Sequence, residues 1–229
     1  MSDRPYTLLS CSVSIDGYIG KAASRLLLSN EADFDRVDAV RASCDAILVG
    51  AETVRIDNPR LLVRSPARRD ERAARGLPMS PIKVTVTRRA EFDARADFFT
   101  VGDAEKVVYC ARPVVADARE RLGPVATVVD GGDTVEMRTL STDLSARGVE
   151  RLMVEGGATV HTQFLTEDLV DELQLVVAPV FVGDSEAPRF VRDGAFPWNP
   201  ARRAALVDVR KLGDVVLLRY ALSSRFQDG

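Results

Sequence analysis

Two carboxylates, Asp57 and Glu155, stand where side chains of their type could move a proton. Glu155 closes the apolar run Arg151-Leu152-Met153-Val154. It is followed by Gly156 and Gly157 and then by a helical stretch from about Thr159 to Leu165. Paired glycines between strand and helix let the backbone approach another group closely. The helix N-terminus that follows offers unpaired N–H groups and a partial positive charge to an anion. A glutamate at the carboxyl end of a strand lies where open α/β sheets bind ligands. The same residues also read as a tight strand-to-helix turn carrying a solvated glutamate, and so short a segment does not decide between the two.

A second junction of this kind comes earlier. Ala46-Ile47-Leu48-Val49 has strand length and runs straight into Gly50-Ala51-Glu52-Thr53-Val54. The Thr53 hydroxyl suits either a phosphate oxygen or a helix N-cap. Asp57-Asn58-Pro59 must then turn, because Pro59 disfavours helix for Asn58. Asp57 and Arg64 bracket a short extended piece. An aspartate that accepts from hydroxyls and an arginine that forks onto phosphate fit a sugar phosphate; a turn aspartate and a surface arginine fit equally well. Arg88 and Arg89 follow the strand Ile82–Thr87 and suit a ribose 2′-phosphate or plain solvent. Ser14-Ile15-Asp16-Gly17 breaks the first strand, and Tyr18-Ile19-Gly20-Lys21 continues as a loop that covers a ligand or simply turns a hairpin.

These residues need a frame. Strands are expected at Tyr6–Val13, Ala46–Val49, Ile82–Thr87, Lys106–Cys110, Val125–Val129, Arg151–Val154, Asp171–Ala178, Ala205–Lys211 and Val215–Leu222. Helices are expected at Glu31–Ser43, Val114–Leu122, Thr134–Arg147 and Thr159–Leu165. Ser29 is read as the cap of the first helix, with Phe34, Val37 and Val40 on one face. Ser65 to Pro81, with Arg68, Arg69, Arg72 and Arg75, reads as a solvated excursion holding one short helix. Alternating strands and helices followed by strands imply an α/β fold. Its central sheet is mostly parallel, and Leu212-Gly213-Asp214 turns an antiparallel C-terminal hairpin.

Bulk properties narrow the partners. The chain has 229 residues, enough for one large domain or two small ones, and its net charge of -3 argues against a general nucleic-acid binder. No apolar run reaches membrane-spanning length and no signal peptide is read at the N-terminus. Cys11, Cys44 and Cys110 have no metal spacing and read as reduced, buried thiols of a cytoplasmic protein. The single histidine, His161, rules out a histidine-cluster metal site and is assigned to packing.

Taken in order, the motifs resemble the reductase domain of riboflavin biosynthesis, the RibD C-terminal domain, with its dihydrofolate reductase-like three-layer fold. Ser14-Ile15-Asp16-Gly17, Asp45 to Val54, Asp57 to Arg64, Val154 to Gly157, and Val170-Asp171-Glu172-Leu173 with Ala178-Pro179 carry the resemblance along nearly the whole chain. It implies a single reductase domain over residues 1–229 that uses NADPH to reduce a phosphoribosylamino-pyrimidine. The ribose opens to an imine, and hydride reaches C1′ to give the ribitylamino product. It further implies that Gly50, Thr53, Gly156, Gly157 and Ala158 line the cofactor and that Thr87 and Arg88 meet its 2′-phosphate. Asp57, Leu61 and Arg64 would hold the substrate, with Glu155 near the reacting carbon and Ser14 to Gly20 beside the nicotinamide. Asp57 and Glu155 are the acid–base candidates. No metal is implied, and a homodimer is expected.

The chain departs from the family pattern in three places. It lacks the His-x-Glu and Cys-x-x-Cys of a fused zinc deaminase, so reduction alone is expected. Thr7 to Ser12 holds no lysine where the family often has one, and Asn58 stands at a frequent aspartate. Two alternatives follow: a reductase of a pterin such as dihydrofolate or of a specialised metabolite, and a non-catalytic homologue that keeps the nucleotide pocket.

Overall fold

A computed structural model describes residues 3–20 and 26–227. Lys21, placed by the sequence at the end of the first loop, lies outside them. The elements in order are β1 (Tyr6–Ser14), α1 (Glu31–Ala42), β2 (Ala46–Gly50), α2 (Ala51–Asp57), α3 (Pro66–Ala74), β3 (Ile82–Thr87), α4 (Asp97–Thr100), β4 (Lys106–Cys110), α5 (Val115–Leu122), β5 (Thr127–Asp130), α6 (Met137–Ala146), β6 (Arg151–Gly156), α7 (Ala158–Thr166), β7 (Glu172–Ala178), β8 (Ala205–Leu212) and β9 (Val215–Ala221). A 3-10 turn, Arg112–Val114, leads into α5. β5 starts two residues later than expected, because the amides of Val125 and Ala126 still bond back to the Leu122 carbonyl at the end of α5.

The chain divides into two compact units. One is built from Asp38–Met153 with the residues up to Pro5, the other from Tyr6–Val37 with the chain from Val154 onward. In the first unit the strand order is β5-β4-β3-β2, followed by the start of β6; in the second, the end of β6 is followed by β1-β7-β9-β8. Neighbours β2 to β5 are parallel. So are β1 and β7, whereas β9 is antiparallel to both β7 and β8. This is the expected pattern of a mostly parallel sheet ending in an antiparallel hairpin. Gly213 turns the hairpin at a φ of 63°, which glycine adopts without strain.

All five residues of β2 are buried, the continuous apolar run of a strand covered on both faces. Ile47, Leu48, Val84, Val107, Val108, Phe98 and Leu122 are fully buried with it in the first unit. In the second, Leu28 packs with Val176, Ala178, Val215 and Leu217. All three cysteines are buried free thiols. Burial pushes Cys11 up to about 12 and Cys44 up to about 11, so neither is a thiolate near neutral pH.

Three expectations need correction. The cap of α1 is Asn30, whose Oδ1 accepts from the Asp33 amide at 3.0 Å; the Ser29 hydroxyl is engaged with that of Ser12. Phe34, Val37 and Val40 are only half-buried, and the fully inward residues of α1 are Asp33 and Asp38. Each aspartate is buried because it has partners: Asp33 with Arg36 at 2.7 Å, and Asp38 with the Arg68 guanidinium at 3.0 Å. Finally, Arg72 is not a solvated charge. It is 2% exposed and donates to the carbonyls of Pro78, Ala42 and Cys44 at 2.7, 2.8 and 2.7 Å.

Candidate active site

In the first unit, parallel pairing sets the site residues. Gly50 stands opposite Val86, so the end of β2 and the residue pair Thr87-Arg88 share the carboxyl edge of adjacent parallel strands. Gly50 is the N-cap of α2 and supplies no side-chain cap. Thr53 is half-buried in the first turn. Thr87 is buried, and its hydroxyl oxygen accepts from the amides of Arg89 and Ala90 at 3.3 and 3.0 Å. This turn leaves Arg88 and Arg89 exposed beyond the strand end.

Asp57 is the last residue of α2 rather than part of a free turn. Asn58 follows at φ 42° and ψ 56°, with its amide bonded to the Val54 carbonyl. Left-handed backbone at Asn58, just before Pro59, ends the helix as the sequence demands. Leu61 has a φ of 48° while only 2% exposed. A buried leucine in that region is uncommon and costs on the order of 1 kcal/mol or more. Asp57 and Arg64 are exposed at either end of this irregular segment.

Asp38 holds the Arg64 end. Its carboxylate accepts from the amides of Arg64 and Ser65 and from Arg68. Burial works against the charge, but those donors outweigh it and keep the carboxyl below its usual range. The sequence reading missed Asp38; its signal was an acidic residue between Val37 and Val40 on α1. Asp45 plays a matching part for β6, accepting from the amides of Glu150 and Arg151 at 3.0 and 2.9 Å.

In the second unit, Glu155 is half-buried at the end of β6. Gly156 follows with a φ of 155°, a backbone region that L side chains rarely enter, and the Gly156–Gly157 peptide is cis. Gly157 is the extended N-cap of α7, and the first turn of α7, starting at Ala158, has no side-chain cap. Ser14, at the end of β1, pairs with Ala178 of β7. Its oxygen accepts from the Tyr18 amide at 3.0 Å, while its hydroxyl donates to Asp16. Asp16 in turn accepts from the amides of Val182 and Gly183. The sequence reading treated Asp16 as part of a turn signal; the structure makes it the anchor of the loop. Among the described residues, no cluster of three or more His, Cys, Asp or Glu is arranged to hold a metal ion. No described helix is long and apolar enough to cross a membrane.

Residues 5–218 match the family model of the RibD C-terminal domain. The chain belongs to the RibD C-terminal domain family. The chain is 32% identical over 225 residues to a 2,5-diamino-6-ribosylamino-4(3H)-pyrimidinone 5′-phosphate reductase of Archaeoglobus fulgidus, covering 97% of this chain and 99% of that protein. It is 35% identical over 225 residues to the protein of the same name in Methanothermobacter thermautotrophicus, covering 96% and 99%. Among solved structures, RibD of Acinetobacter baumannii aligns with a TM-score of 0.80 at 26% identity, over 96% of this chain and 58% of that one. A pyrimidine reductase-like protein of Corynebacterium diphtheriae aligns with a TM-score of 0.83 at 23% identity, over 95% and 91%, and speaks to the fold alone. The RibD C-terminal domain has the dihydrofolate reductase-like α/β fold that the ordered motifs imply.

Proposed function

We propose that this protein is an NADPH-dependent reductase of the riboflavin-biosynthesis type. Its reaction reduces C1′ of a phosphoribosylamino-pyrimidine to the ribitylamino product. The observation that carries this reading is the match, over nearly the full length of both chains, to reductases named for a diaminopyrimidinone ribosyl phosphate.

The residues present fit a phosphate-bearing cofactor. α7 opens at a glycine pair with no side chain capping its first turn, an arrangement suited to an anion. Gly50, Thr53, Gly156, Gly157 and Ala158 are assigned to hold NADPH, and Thr87 and Arg88 to meet its 2′-phosphate. NADPH, when bound, supplies the hydride. The chain's own work is to bind, orient and manage protons. Arg64, whose backbone Asp38 fixes, is assigned to the substrate phosphate, with Leu61 and Ser14 bordering the substrate. Asp57 and Glu155 are assigned to the proton movements of ribose opening, which call for an acid and a base beside the sugar. A cytoplasmic homodimer is the assembly we assign to it.

The test is NADPH consumption by the purified protein with the diaminopyrimidinone ribosyl phosphate and, separately, with dihydrofolate. Turnover with the first and none with the second is expected. Turnover with dihydrofolate alone, or with neither, would overturn the reading.

A further inference from the structure

His161 is fully buried in α7, four residues past the glycine N-cap of that helix. Its Nδ1 lies 3.1 Å from the Phe190 carbonyl oxygen, and the two rings are tilted against each other at 5.3 Å between centroids. A carbonyl only accepts, so Nδ1 carries the proton and donates. Burial pushes the imidazole down to about 4, which keeps it neutral in that form near neutral pH. Nε2 is buried without a hydrogen-bond partner among the described residues. Among the described residues, the one polar tie this side chain makes is therefore to residue 190.

That residue belongs to an irregular segment wedged between α7 and the loop after β1. The Phe190 amide donates to the Gly17 carbonyl at 3.1 Å, and the Ile19 amide donates to the Pro188 carbonyl at 2.9 Å. Arg189 pairs with Tyr18 through the backbone, donates to its hydroxyl at 3.1 Å and lies over its ring at 4.8 Å. On the other side, the Arg192 amide donates to the Thr162 hydroxyl at 2.8 Å, one residue past His161. The segment thus has no sheet of its own; it is held by α7 on one side and by Ser14–Gly20 on the other.

We propose that His161 is a positioning residue of the reductase. It fixes Phe190, and through Phe190 the Ser14–Gly20 loop, to the helix that begins at the glycine pair after Glu155. The role rests on the reductase reading of the site, since it is that reading which puts the loop beside the reacting ring. Packing alone would be served as well by an apolar side chain, which would leave the half-buried Phe190 carbonyl without its imidazole donor.

The test compares His161→Leu, which keeps bulk and loses the donor, with His161→Asn, whose Nδ2 replaces Nδ1 at the same branch point. Amide hydrogen exchange is read at Ile19 and Phe190, together with NADPH affinity, kcat and KM. In His161→Leu, exchange at both amides should rise about 3- to 10-fold, as expected when one neutral hydrogen bond leaves a local opening equilibrium. In the same variant kcat should fall by a similar factor with little change in NADPH affinity, and His161→Asn should recover most of both. Should His161→Leu fail to fold, Thr162→Val removes the neighbouring tie to Arg192 and should raise exchange at the same two amides. Unchanged exchange at Ile19 and Phe190, or an Asn variant no better than Leu, would overturn the proposal. The exchange measurements stand without turnover, so an inactive wild-type protein would remove the reductase reading while leaving the tether decided on its own.

Discussion

The Asp16 carboxylate receives the Gly183 amide at 2.8 Å across 167 positions of chain. With the Val182 amide and the Ser14 hydroxyl it joins the end of β1 to the loop after β7. The Ser14 hydroxyl first, and then the two amides, hold its carboxyl down to about 2 against partial desolvation. A depressed carboxyl contributes stability above its ordinary value of 3.8 and loses it as pH falls through about 2, so the tie is intact at any assay pH. Asp16→Ala should speed amide exchange at Val182 and Gly183 and lower kcat roughly 10-fold with the fold retained, since loops that complete a site act on turnover. Unaltered exchange at both amides would reject the anchor.

Arg88 stands exposed beyond the turn that Thr87 holds. Arg88→Ala should weaken NADPH binding about 10-fold or more, the scale of a lost charge-assisted contact, and leave NADH binding unchanged. Titration of both cofactors checks this. Equal affinities in the wild-type protein, unmoved by the substitution, would refute the assignment of this strand end.

Glu155→Gln keeps shape and removes proton transfer. Turnover should drop roughly 10²-fold or more with NADPH binding barely changed. Arg64→Ala should chiefly raise the substrate KM, because a phosphate clamp away from the reacting carbon contributes to binding. Steady-state kinetics separates the two. Near-normal turnover in Glu155→Gln would leave the glycine pair as a cofactor cradle only.

Arg72 joins the end of α1 and the connection to β2 to the turn after α3 through three carbonyls. Arg72→Ala leaves those acceptors without their donor and should cost about 3 kcal/mol or more in a urea unfolding curve. The NADPH affinity of the folded fraction should not change.

His161 titrates in opposite environments before and after folding. Its ordinary value is 6.5 and burial lowers it to about 4. Between those values the unfolded chain binds the proton and the folded chain does not. Stability is therefore full above pH 6.5 and declines as pH falls toward 4, by up to about 3 kcal/mol for this group. Unfolding curves of wild type and His161→Asn at pH 7 and pH 4.5 should show the variant losing less. Identical losses would place the acid sensitivity elsewhere.

Much of the frame was legible because its signals are local. Apolar runs at Ala46–Val49 and Ile82–Thr87, the Pro59 stop and the Gly213 turn each act within a few residues, so the strands and helices given bounds from sequence end within three positions of those observed, whereas the short α4 (Asp97–Thr100) carried no such signal and was not expected. The ordered motifs also identified the family, since glycines, prolines and strand-end polar residues keep their spacing along the chain. The buried polar partnerships were not legible. Asp38 with Arg64, Arg72 with Ala42 and Cys44, and His161 with Phe190 join residues 26 to 30 positions apart, and the partner is usually a backbone group that every residue carries. Sequence can show that a buried charge or imidazole needs a partner. Only tertiary structure decides which amide or carbonyl arrives, and so turned a surface-looking arginine inward and a packing histidine into the holder of a loop.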